Sequence, residues 1–167
     1  MKYLKSSLTL LIFFSLSSLV FSKEYYHHFL EQEVLDKYAD EPAGVVIEFK
    51  GKDGKWEWVT PMIESYVRQI RRKYPDMKID IVAHGTGIKT LTENSITDYG
   101  DAKKKLKVLS DSGVDVSVCG GKSKMMEIPL DSYAKFIYVA DSAPALIKEL
   151  KQDGYVHILA GEKESRL

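Results

Sequence analysis

An α/β domain built on a parallel sheet is what this sequence predicts, from three observations. Five short runs rich in valine and isoleucine, GVVIEFK at 44–50, MKIDIVA at 77–83, VDVSV at 114–118, KFIYVA at 135–140 and YVHIL at 155–159, read as strands. The segments between them place apolar residues at helical spacing, so each connection crosses over, which makes the strands parallel and covers both faces of the sheet. The chain has 167 residues, 44% of them hydrophobic, and few prolines. That is enough for one core and cramped for two.

Taken in order, the chain opens on Lys2 and Lys5 followed by LTLLIFFSLSSLVF. This is the pattern of a secretory signal peptide over residues 1–22, cut after Ser22; the apolar run is short for a membrane span of about 20 residues, so no stable membrane anchor is expected. The mature protein is then periplasmic or otherwise secreted. Residues 23–43 read as an arm or short helix lying on the domain. Its His27-His28 pair diverges by about 100° on a helix and does not suit one metal ion.

The domain itself spans 44–160. After the first strand and a GKDG turn, Trp56, Val59, Met62, Ile63, Tyr66, Val67 and Ile70 recur at three- and four-residue spacing and predict a helix over 56–74, ended by Pro75. The second strand runs into His84-Gly85-Thr86-Gly87, a turn that opens a further helix over the periodic segment IKTLTEN. Such a turn presents backbone N–H groups to an anion, so Gly85, Thr86 and Gly87 are candidate ligand-binding residues. It lacks the dinucleotide fingerprint and the phosphate-loop lysine-serine pair, so neither NAD nor ATP is expected. A helix over 98–111 carries Lys103, Lys104, Lys105 and Lys107 on a solvated face, and Gly113 leads into the third strand. Ser142 caps a last helix with Pro144 in its first turn and Gly154 beyond its end. His157 in the final strand reads as a partly buried structural histidine, and the tail over 161–167 as a frayed charged end.

The chemistry converges on residues 114–128, VDVSVCGGKSKMMEI, which hold the only cysteine. Val114, Val116 and Val118 alternate with polar residues up to Cys119; Gly120-Gly121 turns the chain, and a short helix is expected from Gly121 or Lys122, closed by Pro129. Cys119 then lies at the positive end of a helix dipole beside Lys122 and Lys124, surroundings that favour the thiolate, the nucleophilic form. A lone cysteine ending a valine-rich strand equally fits a small buried hydrophobe. In parallel sheets, sites gather at the carboxyl ends of the strands. His84 and Cys119 both stand there, which weighs towards the reactive reading.

Balanced charge, 24 basic against 24 acidic residues, and the lack of a basic stripe argue against nucleic-acid binding. One cysteine excludes an internal disulfide, and no Cys/His spacing builds a metal site.

The runs at 82–89 (VAHGTGIK), 113–120 (GVDVSVCG) and 154–158 (GYVHI) resemble the motifs of the DsrE/DsrF-like family, also called YchN-like, over about the whole mature domain. The resemblance implies a three-layer α/β/α domain with a five-stranded parallel sheet, assembled as trimers or hexamers. It also implies that the cysteine accepts sulfane sulfur as a persulfide and passes it between a donor and an acceptor, proteins or small sulfur compounds. Gly121-Lys122-Ser123 departs from the small polar residue and threonine that often follow Cys-Gly in the family, which bears on local anion contacts at Gly120, Gly121 and Lys122.

The sequence therefore predicts an exported sulfur-handling protein with Cys119 as nucleophile or sulfur carrier and His84 as its proton partner or orienting group, needing no metal or organic cofactor. The rival is a non-enzymatic oligomeric module that binds a small ligand at the strand ends, with Cys119 a lining residue. A structural protein that uses this surface for assembly is a third reading.

Overall fold

A computed structural model of the chain describes residues 41–52, 55–95 and 100–161. The expected signal peptide, nearly all of the arm and the tail beyond Gly161 lie outside the described residues. The strands are β1 (Gly44–Lys50), β2 (Ile79–His84), β3 (Val114–Cys119), β4 (Tyr138–Ala140) and β5 (Tyr155–Ala160). The helices are α1 (Trp56–Lys73), α2 (Gly100–Asp111), α3 (Gly120–Met125) and α4 (Ala143–Gln152), with 3-10 turns at Thr86–Leu91 and Leu130–Ser132.

All five strands are parallel, in the order β4-β3-β2-β1-β5. This order dictates which helix covers which face. A chain stepping from β1 to β2 to β3 with right-handed crossovers keeps its helices on one side, and the return from one edge of the sheet to the other runs over the opposite side. Accordingly, Val45, Ile47, Phe49, Ile79, Ile81, Ala83, Val116 and Val118 pack with Val59, Ile63 and Ile70 of α1 and Leu106 of α2 in the main core. The alternate residues Val46, Val82 and Cys119 pack with Ala143 and Ile147 of α4 in a smaller one. The result is a three-layer α/β/α domain in which, among the described residues, the second helical layer is α4 alone, which touches β1, β2, β3 and β5 on its way across.

Two segments differ from expectation. IKTLTEN belongs to a 3-10 turn over Thr86–Leu91 rather than a helix of its own, because the segment is tied down from outside. Gly87 N–H donates to Gly51 O (3.1 Å), and Trp56 Nε1–H donates to Gly87 O (2.8 Å). Gly85, at φ +92°, lies so close to Gly51 O that a side chain there has no room. The strand expected over 135–140 shrinks to Tyr138–Ala140, since residues 135 and 136 turn and Ile137 N–H closes on Ala134 O (2.8 Å). As an edge strand, β4 pairs with β3 alone.

Candidate functional site

Cys119 ends β3 and is itself the N-cap of α3, which begins at Gly120, a residue or two earlier than the sequence predicts. Its sulfur accepts the Lys122 N–H at 3.4 Å and the Ala143 N–H of α4, also at 3.4 Å. The starts of two helices thus converge on one sulfur. They do so because the chain leaves β3 and β4, neighbours in the sheet, towards different helices. Ala140 pairs with Cys119 in the ladder, and three residues later the chain enters α4. Gly120 permits the approach, since a Cβ there would stand 2.8 Å from Ala140 O. Gly121 N–H donates to Asp141 O (2.9 Å) and stitches the two strand ends together.

Behind the cysteine, Ser123 Oγ–H donates to the Cys119 carbonyl (2.9 Å) and meets the Tyr133 hydroxyl at 2.7 Å. Both residues are buried. Burial pushes the Tyr133 hydroxyl above its usual value, with Cys119 adding to the shift and the Ser123 bond opposing it. The hydroxyl therefore stays protonated at neutral pH, and the chain Tyr133–Ser123–Cys119 fixes the first turn of α3. Neither Ser123 nor Tyr133 was singled out by the sequence; the S-x-x-x motif that would flag a side chain returning to a carbonyl four residues back is too common to read.

The other expected residues distribute unevenly. Lys122 serves the sulfur through its backbone N–H. The N–H groups of Gly87 and Gly121 are taken by Gly51 O and Asp141 O, so neither is free for an anion. His84 ends β2 beside β3, and its Nε2 bonds Glu48 Oε1 at 2.5 Å. Among the described residues no hydrogen bond joins His84 to Cys119. The second oxygen of Glu48 meets His157 Nε2 of β5 at 2.7 Å, so one carboxylate on β1 bridges histidines on both neighbouring strands. Burial raises the Glu48 carboxyl, but the bonds and charges of His84 and His157 outweigh it and hold the group below its ordinary value. His157 is thus a partner in a polar cluster on the α4 side of the sheet.

On that same face Asp80 stands opposite Asp115 in the β2–β3 ladder. Burial, then the charge of Asp115, push its carboxyl up to about 6, against the opposing pull of Lys78. Among the described residues no group of histidine, cysteine and acidic side chains is arranged to hold a metal ion, and no helix is long and apolar enough to cross a membrane.

No protein-family model matches the sequence, and no curated protein does. Solved structures do match the fold. A protein of unknown function, MTH1491 from Methanobacterium thermoautotrophicum, is 21% identical with a TM-score of 0.58, the match covering 69% of this chain and 96% of that one. The ychN protein from E. coli is 8% identical with a TM-score of 0.55, over 70% of this chain and 98% of that one. The chain therefore has the YchN-like fold that its sequence motifs imply.

Proposed function

We propose that this chain is an exported member of the DsrE/DsrF-like family whose Cys119 takes up sulfane sulfur as a persulfide and hands it on. The observation that carries the reading is the sulfur between two converging N–H donors, those of Lys122 and Ala143. Such donors stabilise negative charge on the Cys119 sulfur, which it bears as the attacking thiolate and again as the thiolate expelled when sulfur is handed on.

In the reaction, the Cys119 thiolate attacks the terminal sulfur of a polysulfide, or the sulfane sulfur of thiosulfate. A Cys119 S–S bond forms, the donor S–S bond breaks, and the bonding pair leaves with the shortened polysulfide or with sulfite. No outside oxidant or reductant is needed. The acceptor thiolate reverses the step by attacking the outer sulfur and expelling Cys119. With Cys119 only 7% exposed, small sulfur compounds suit the entry better than a bulky donor. An assembly of three or six copies, as the family resemblance implies, and export after cleavage at Ser22 belong to the same proposal.

The burial of Cys119 among Val46, Val82, Ala143 and Ile147 favours the second reading, a non-enzymatic oligomeric module that binds a small ligand. Intact-mass analysis of the mature protein before and after polysulfide or thiosulfate, with Cys119→Ser alongside, separates the two. One sulfur gained by the wild type and none by Cys119→Ser supports the carrier, and the same spectrum reads whether the chain starts at Lys23. No gain, with thiol labelling only after unfolding, makes Cys119 a packing residue. Loading of Cys119→Ser equal to the wild type removes the proposal.

A further inference from the structure

The Glu48–His84–His157 cluster takes no part in the sulfur contacts, yet it lies half-buried on the same sheet face as Cys119, with side chains only 15–27% exposed. Three ionisable groups withdrawn from water in this way are costly unless each is paired. Their pairing is specific. An ionised carboxylate only accepts hydrogen bonds, so His84 and His157 both donate from Nε2. In the neutral ring of His84 the lone pair is then on Nδ1.

The register brings this base to the cysteine. β2 and β3 pair up to Ala83 and Val118, and one step further His84 and Cys119 end the two strands on the same face. Neighbouring strands are about 4.8 Å apart, so one bridging water from Nδ1 spans the gap while Nε2 stays on Glu48, the reach required of a general base.

We propose that His84 is the general base for Cys119, and that Glu48, steadied by His157, is the positioning residue that sets its tautomer. The Cys119 proton passes to His84 Nδ1, leaving a thiolate beside an imidazolium that Glu48 stabilises; the proton returns to Cys119 when sulfur is handed on and the thiolate departs. This rests on Cys119 acting as a nucleophile, as in the proposed function, but not on sulfur being its substrate. The other charged groups nearby do not supply such a base. Lys50 pairs with His84 in the ladder, Lys122 and Asp141 flank the cysteine turn, and Asp80 and Asp115 lie four residues before the two strand ends. Tyr133 is bonded to Ser123, Tyr155 begins β5, and α4 packs Ala143, Leu146, Ile147 and Leu150 on this face.

The test is the rate of Cys119 alkylation by iodoacetamide from about pH 5 to 10, for the full mature protein and for His84→Gln, Glu48→Gln and His84→Ala. His84→Gln and Glu48→Gln are expected to slow the reaction near neutral pH by on the order of tenfold to a hundredfold. At the alkaline end, where a thiol ionises unaided, they should rejoin the wild type. Added imidazole should restore His84→Ala at neutral pH, which a purely structural histidine would not allow. Unchanged neutral rates in His84→Gln and Glu48→Gln overturn the proposal. So do slow rates that neither alkali nor imidazole restores. Absent sulfur uptake with the expected alkylation profile would remove the sulfur substrate and leave the base assigned. Normal uptake with unaltered alkylation in the variants would do the reverse.

Discussion

Ser123 carries more of the cysteine's geometry than its size suggests, because it bonds both the Cys119 carbonyl and the Tyr133 hydroxyl. Replacing it with alanine strips a donor from the Cys119 carbonyl and strands the hydroxyl of Tyr133, a residue only 5% exposed. The expected cost is about 1–3 kcal/mol, against about 1 kcal/mol for Tyr133→Phe, which leaves Ser123 bonded to the carbonyl. Urea unfolding of both variants checks the order, and the double variant should cost less than the sum. At this scale the sequence showed Cys119 and the helix start beside it through valine alternation and the glycine pair. It did not show Glu48, which reads as the polar member of GVVIEFK until β5 supplies His157 from 109 residues away.

Among the elements, the junction of β3, α3 and β4 has the least room. Gly120→Ala would set a Cβ 2.8 Å from Ala140 O and 3.1 Å from Val139 Cγ1, and the first of these is backbone that cannot swing aside. The expected loss is about 1–3 kcal/mol, read as a lower melting temperature, together with faster labelling of Cys119 as the Gly121–Asp141 stitch loosens. Elements whose signals are local were legible: Ser142 accepts the Ala145 N–H as the N-cap of α4, and Gly154 takes φ +87° behind it. The 3-10 turn after β2 and the shortened β4 were not. The first is set by Gly51 and Trp56, and the second by the turn at 135–136, which Ala134 anchors through Leu91 O, contacts that residue spacing does not encode.

In the whole molecule, the one helix described on this sheet face leaves Asp80 only partly covered and its ladder neighbour Asp115 exposed. A carboxyl held at about 6 when folded, against an ordinary 3.8, binds more protons in the native protein than in the unfolded chain between those values. Its contribution to stability therefore falls as pH rises through that window. Asp80→Asn should be more stable near neutral pH, on the order of 1 kcal/mol after solvent screening, with the gain vanishing towards pH 4. Chemical denaturation at a series of pH values measures it. Glu48 has the opposite sign, stabilising above its ordinary 4.5 and losing that contribution as acid protonates it. The parallel α/β architecture was legible from alternation alone, whereas the strand order that makes these neighbours was not.

That strand order also sets a timetable. β1 is made first but completes its pairing only when β5, the last strand, arrives beside it. Until then β1 has an open edge, Glu48 lacks His157, and Cys119 lacks the N–H that α4 brings. A half-made chain carries the thiol without its setting, so the two N–H donors meet at the sulfur only near the end of synthesis, and any cut before α4 yields a protein that has the cysteine and not its surroundings.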